Sequence, residues 1–319
     1  MINQNDPLVF DGHNDLLYRL HNQKIDLESV AEGTAEGHLD LPRARQGGFS
    51  GGFFALWVPS MRAGTPSQKG DDVVMADMRY NVPLPDMVTW EEAIRVVFAE
   101  IAIFRALTAR GFITPCTSVA DLRAAMPAAP LAAILHMEGA EAIDPDFTTL
   151  EVLHAAGLRS LGPVWSRPTI FGHGVPFRFP STGDIGPGLT DLGKELVRQC
   201  NRLKIMLDVS HLNEKGFDDL AAITDAPVVA THSNAHALCP HARNLTDRQL
   251  AIIAESDGMV GLNFATAFLR ADGRMAPDMR LEVMIRHLDH LVSRLGEDRV
   301  GLGSDFDGAI VPDGIGDVS

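Results

Sequence analysis

The 319-residue chain predicts a (β/α)8 TIM barrel, and three observations carry that expectation. Eight short apolar, β-rich runs recur along the chain with helix-period stretches between them. The runs are nearly continuously apolar instead of alternating, as parallel strands covered on their outer face should be. The first run leads into DGHND (11–15), which holds one Gly and no GxGxxG, so an open dinucleotide-binding sheet is disfavoured.

In chain order, the first run is PLVFDGHND (7–15) and the second GGFFALWVP (51–59). The gap to the third run, AAILHMEG (132–139), contains the polar stretch RAGTPSQKGDD (62–72). It is expected to be a surface excursion inserted between strands 2 and 3 of one domain, 1–319. The same gap holds TWEEAIRVVFAEIAIFRALTAR (89–110), whose apolar spacing predicts a long helix. LRSLGPVWS (158–166) is the fourth run, followed by a helix over LTDLGKELVRQCNRL (189–203). KIMLDVSH (204–211) and APVVATHS (226–233) come next, then a helix over TDRQLAIIAES (246–256). The last two of these helices begin with Thr-Asp at an N-cap, with acids in the first turn. GMVGLNFA (258–265) and RVGLGSDFDG (299–308) complete the eight strands.

Composition narrows the function classes. A net charge of −15 with no Lys/Arg-rich block excludes a nucleic-acid partner, which needs a basic patch. MINQNDPLVF lacks the basic region and apolar core of a secretory signal, and PLAAILHM (130–137) is far too short to span a bilayer. Cys116, Cys200 and Cys239 show no CxxC spacing, so a disulfide framework or cysteine zinc knuckle is not expected. The expected compartment is a reducing cytoplasm, with no membrane partner.

The chemistry concentrates at strand ends. His13 and Asp15 end strand 1, Glu138 strand 3, His211 strand 5, His232 strand 6 and Asp305 strand 8. In a barrel these ends converge on the C-terminal face, where active sites form. Residues i and i+2 of a strand share a face, so His13 and Asp15 can present one nitrogen and one oxygen to a single cation. Three His with two carboxylates suit zinc better than Mg2+ or Ca2+, which prefer oxygen shells. Five ligands exceed what one catalytic zinc takes if a position stays open for water. Two divalent ions are therefore expected, with Glu138 bridging, His13 and Asp15 on one ion and His211 and His232 on the other. Two such ions against Asp15, Glu138 and a bridging hydroxide leave one net positive charge, which holds the hydroxide and polarises a carbonyl. Asp305 remains to carry the proton. His136 is expected to be structural, one layer lower. His21, His38, His154, His287 and His290 receive no role, and Met137 and Met206 read as core.

DGHNDLL (11–17), HMEGAE (136–141), LDVSHLNEKGFDDL (207–220), THSNAHALCPHARNLTD (231–247) and GSDFDG (303–308) together resemble the membrane (renal) dipeptidases, peptidase family M19, and their microbial relatives. Those are binuclear zinc dipeptidases with an amidohydrolase-like barrel, and the resembling pieces span nearly the whole chain in the family's order. The resemblance implies the same five metal ligands with Glu138 bridging, proton transfer by Asp305, and a soluble enzyme acting on dipeptides, L-Xaa-D-Xaa among them. It adds Arg243, in HARN, as the fork gripping the substrate's C-terminal carboxylate.

Three departures from the family pattern stand out. Trp165 occupies the place of a carbonyl-polarising His, which makes it a substrate-pocket residue and passes oxyanion stabilisation to the metals, Arg167 or His173. Ala265 stands where a Tyr is usual, opening that wall. The chain ends at GIGDVS, where family members continue with terminal helices. A homodimer is an expectation. The altered pocket keeps N-acyl amino acids, lactones and β-lactams as alternative substrates, and a catalytically silent metal-binding protein as the reading from another class.

Overall fold

The computed structural model describes residues 7–62, 65–66, 75–126 and 130–319. Each of the eight apolar runs forms a strand. They are β1 Val9–Asn14, β2 Phe49–Trp57, β3 Leu131–Glu138, β4 Leu158–Gly162, β5 Met206–Leu207, β6 Val229–Ala230, β7 Met259–Asn263 and β8 Val300–Gly303. Their spatial order is β5-β4-β3-β2-β1-β8-β7-β6, and every pairing is parallel. Sequence neighbours are thus spatial neighbours, as successive right-handed βα units require. Between β5 and β6 the ladder shrinks to the single bridge Asp208↔Val229, with Val209 N donating to Val229 O at 2.9 Å. Ile113–Pro115 pairs with β3 outside the ring.

Helices alternate with these strands. They include α1 Leu16–Gln23, α2 Trp90–Ala109, α3 Thr148–Ala156, α4 Asp191–Leu203, α5 Glu214–Ile223, α6 Asp247–Glu255 and α7 Glu282–Leu295. The caps expected at Thr190 and Thr246 form, and Thr89 adds a third. Thr89 with Glu92 and Thr246 with Gln249 make capping boxes, and Thr190 accepts the Gly193 N–H. Each cap satisfies amide donors that the first helical turn leaves open, a contribution of about 1 kcal/mol. In α4 the buried Leu196, Val197 and Cys200 face the sheet, while its charged positions face water. Burial of a side chain such as Leu196 stabilises the fold by about 1.5–3 kcal/mol.

Glycine shapes the barrel interior at one level. A Cβ on Gly261 or Gly303 would come within 2.0 Å of the Thr231 carbonyl oxygen, and one on Gly12 within 2.3 Å. Three strands therefore lack side chains where the backbone after β6 presses inward.

Most of RAGTPSQKGDD, expected to be a surface excursion after β2, lies outside the described residues. In the chain that follows, 76–79 and Asn81 are exposed, while Met75, Tyr80 and Val82 are buried at the barrel mouth. Tyr80–Asn81 pairs antiparallel with Arg178–Phe179, Met275 N donates to Met75 O at 2.8 Å, and Tyr80 OH donates to Gly273 O at 2.6 Å. Met75, Val82, Phe179 and Phe268 form one apolar cluster there. The reason is apolar content: Met75, Tyr80 and Val82 follow the polar stretch and bury against the loop after β4.

Candidate metal centre

The strand-end residues meet in one buried cluster. On β1, His13 is fully buried and Asp15 follows at the start of α1. His13 Nε2 lies 3.4 Å from Asp15 Oδ2 and 3.6 Å from Glu138 Oε2. The other Glu138 oxygen, Oε1, lies 2.8 Å from His211 Nε2 and 3.3 Å from His232 Nε2. The two imidazole Nε2 atoms of His211 and His232 are themselves 3.3 Å apart. One oxygen of Glu138 thus faces His13 and the other faces His211 and His232, the disposition a bridging carboxylate would need.

Register brings this about. Trp57 of β2 pairs with Glu138, and Glu138 with Gly162 of β4, so the ends of β2, β3 and β4 are level. Asp305 follows β8 in a left-handed backbone conformation, φ 59°, which Asp tolerates better than most side chains. Its amide donates to His13 O at 3.0 Å, and Asn263 Nδ2 donates to its Oδ2 at 2.8 Å. Among the described residues, His13, Glu138 and His232 form one group able to share a cation, and His13, Asp15 and Asp305 another.

The donor set fits a metal. Both ring nitrogens of His13 are buried without a hydrogen-bond partner, a state that costs free energy unless something else binds them. Separations of 3.3–3.6 Å match donors about 2.0–2.1 Å from one tetrahedral ion, while His211 Nε2 and Glu138 Oε1, 2.8 Å apart, stand at hydrogen-bond distance. Electrostatics agree. Burial pushes His211 and His232 well below the usual histidine value, helped by Arg243 and His13, so both rings are neutral. Burial also opposes charge on His13, yet the Glu138 and Asp15 carboxylates outweigh it and raise its pKa to about 10. Burial raises Asp305 and, strongly, Glu138. The carboxylates therefore hold positive charge at His13, a proton or, in its place, a cation.

Above the cluster lies a pocket. Asp15, Glu138, His211 and Asp305 form its floor, and Trp57, Trp165, Phe177 and Phe268 wall it. Trp165 packs edge-on against Trp57 at 5.2 Å and 5.8 Å from the His211 ring. Ala265 lines the same pocket. Arg243 is buried behind Phe268, its Cζ 5.7 Å from that ring. Its Nη1 donates to Ser233 Oγ at 2.9 Å and its Nη2 to His232 O at 3.1 Å, while Nε has no partner. Arg167 is removed from the oxyanion role considered for it. Its fork is consumed by Glu141 Oε1 (2.7 Å), Ser60 Oγ (2.5 Å) and Val58 O (2.5 Å), with no exposed surface. His173 is not among the pocket-lining residues.

The membrane dipeptidase family (peptidase family M19) matches over residues 3–319. The chain belongs to the M19 dipeptidase family. As a family member it is a metal-dependent hydrolase. It is similar to a metallo peptidase from Rhodobacter sphaeroides whose crystal structure holds a phosphinate mimic of the dipeptide L-Ala-D-Ala. That match has a TM-score of 0.94 and 56% identity, covering 98% of this chain and 89% of the other. A second M19 structure, the dipeptidase AC, aligns with a TM-score of 0.93 and 56% identity over 98% of this chain and 88% of that one. An uncharacterized protein in the PQQ-III 3′ region of Acinetobacter calcoaceticus is 42% identical over 90% of both chains.

Against this M19 frame, three polar residues escaped the sequence reading. Asn263 ends β7 and holds Asp305, and the strand-end rule applied to NFATAF would have found it. Asp208 and Thr231 each precede a histidine of the cluster, in DVSH and ATHS, and bind each other at 2.6 Å. Their sequence signal is weak, because a small polar residue beside a histidine is common. His136 does sit below the cluster, bonded to Ser160 Oγ at 2.8 Å. Burial lowers its pKa to about 3, which keeps it neutral and structural.

Proposed function

We propose that this M19 enzyme is a binuclear zinc dipeptidase that hydrolyses L-Xaa-D-Xaa dipeptides. The observation that carries the reading is Glu138, which turns one oxygen to His13 and the other to His211 and His232 at the floor of a pocket walled by tryptophans. His13 and Asp15 would hold one ion and His211 and His232 the other, with Glu138 shared between them. When bound, the ions supply Lewis acidity and lower the pKa of water. Asp305 accepts the proton of the attacking water and delivers it to the leaving amide nitrogen. Asn263 holds one Asp305 oxygen by hydrogen bonding, which leaves the other for that proton. Arg243 receives the substrate carboxylate through its unpaired Nε, and that anchor sets the distance to the scissile bond. Trp165, in place of a polar group, gives the pocket an apolar wall. The L-Ala-D-Ala mimic held by the Rhodobacter protein supports a D-residue at the second position.

We further place the whole chain in one catalytic domain. It acts in the cytoplasm, where the three buried, free cysteines stay reduced. No helix among the described residues is long and apolar enough to cross a membrane.

The test is a dipeptide panel with both stereochemistries at the second residue, together with N-acyl amino acids and lactones. Chelated protein should lose dipeptide hydrolysis and regain it with Zn2+. Full activity in chelator, or turnover confined to lactones or N-acyl amino acids, would sink the reading.

A further inference from the structure

Asp208 follows β5 and Thr231 follows β6, at the seam where the barrel ladder has shrunk to one bridge. A buried carboxylate takes over the seam. Asp208 Oδ1 accepts from Ser210 N (3.0 Å), Ser210 Oγ (2.6 Å) and Thr231 N (2.9 Å), and Oδ2 accepts from Thr231 Oγ1 (2.6 Å). Two titratable groups face it beyond hydrogen-bond reach: His136 Nε2 at 3.6 Å and His232 Nδ1 at 4.0 Å from Oδ2.

Four donors converging on one carboxylate leave it no proton of its own to give. That fixes where the neighbouring hydrogens lie. A hydroxyl has a single hydrogen, and both hydroxyls commit theirs to Asp208. Their oxygens can then only accept. Ser210 Oγ accepts the backbone N–H of His232 at 3.1 Å. Thr231 Oγ1 lies 2.8 Å from His232 Nδ1 and must accept there too, so the His232 proton is on Nδ1. The bare lone pair is then on Nε2, the atom that faces Glu138 and His211.

We infer that Asp208 is a positioning residue of the metal centre: through the Thr231 hydroxyl it holds His232 in the Nδ1–H tautomer, and through Ser210 it fixes the His232 backbone, so that Nε2 is presented to a divalent cation. The inference rests on the reading of His232 as a metal ligand. A brace for the barrel seam alone would need only the two backbone N–H donors; both hydroxyls instead continue to His232. The Thr231 backbone is itself held in place, since the gaps left by Gly12, Gly261 and Gly303 admit its carbonyl. His211 differs: its Nδ1 meets Ser166 Oγ at 2.8 Å, and among the described residues Ser166 bonds no carboxylate. Groups behind a ligand histidine orient it and raise its basicity, with effects of 10–100-fold on metal affinity.

The decisive comparison is Thr231→Val with Thr231→Ser. Valine keeps the shape and the backbone bond to Asp208 but removes the hydroxyl; serine restores it. Metal-free proteins are titrated with Zn2+ against a chromophoric chelator. Thr231→Val should weaken one bound equivalent about 10–100-fold, and Thr231→Ser should bind within about threefold of wild type. Wild-type affinity in Thr231→Val, or equal losses in the two variants, overturns the inference. A purely structural role would show as a lowered melting temperature of the metal-free valine variant with unchanged affinity. Should the valine variant not fold, the wild type decides: a long-range 15N–1H spectrum of metal-free protein must show His232 protonated on Nδ1, and an Nε2–H signal overturns the proposal. His232→Ala separates the two levels. If that variant binds zinc like wild type, the ligand assignment fails. If it loses an equivalent while Thr231→Val does not, only the role of Asp208 and Thr231 fails.

Discussion

Arg243→Ala should cost this enzyme about 100-fold in kcat/KM on L-Ala-D-Ala, and the structure sets that figure. A guanidinium has five N–H donors, of which Ser233 Oγ and His232 O take one each; Nε is buried and unpaired. A hydrogen bond to a charged group contributes about 1.5–3 kcal/mol, and 2.7 kcal/mol corresponds to about a factor of 100. Alanine also leaves Ser233 and the His232 carbonyl without their partner, so a general loss through the metal centre must be separated from a loss of carboxylate binding. The assay therefore compares L-Ala-D-Ala with its C-terminal amide, on protein of equal zinc content. Wild type should favour the free acid by about 100-fold, and the variant should show nearly equal values for both. Arg243→Lys should recover little, because an ammonium cannot present a planar fork. Equal losses on acid and amide would refute the clamp.

Two other predictions concern Asp305 and Glu100. Asp305→Asn should lower kcat by about 10²–10⁴ while zinc content stays unchanged, and activity within tenfold of wild type would remove its proton-carrying role. Glu100 of α2 is buried, accepts the Trp57 amide at 3.0 Å through Oε2, and leaves Oε1 unpaired. Burial raises its pKa well above the ordinary carboxylate value, so the folded protein holds a proton that the unfolded chain releases. Its stability contribution is full below the unfolded pKa and falls as pH rises toward the folded pKa. Glu100→Gln has no such proton, so urea unfolding should show it gaining on wild type by up to about 1.4 kcal/mol per pH unit between pH 5 and 7. Parallel stability curves would contradict a protonated Glu100.

Much of the candidate site was legible because its residues sit at strand ends, and strand ends are marked locally. An apolar run closing on His13-x-Asp15, on Glu138 or on His211 reads as a barrel strand delivering a ligand, whatever the rest of the chain does. Arg167 was misjudged for the opposite reason. Its position beside Trp165 in WSRP suggested a pocket residue, but its three partners come from the end of β2, the segment after it, and the loop after β3. Nothing local signals that an arginine will be taken up by residues 26, 107 and 109 positions away.

The chain's own pattern of apolar runs, caps and strand-end residues determined the barrel and marked the candidate metal cluster. These depend on alternation and on short-range chemistry, which a linear sequence displays. Tertiary structure alone decided which oxygen of Glu138 faces which histidine, how the loop containing Met75 roofs the pocket, and that one carboxylate, Asp208, stands behind His232. Each of those depends on register between strands and on where a hydroxyl's single hydrogen goes. Both are settled only when distant segments pack together.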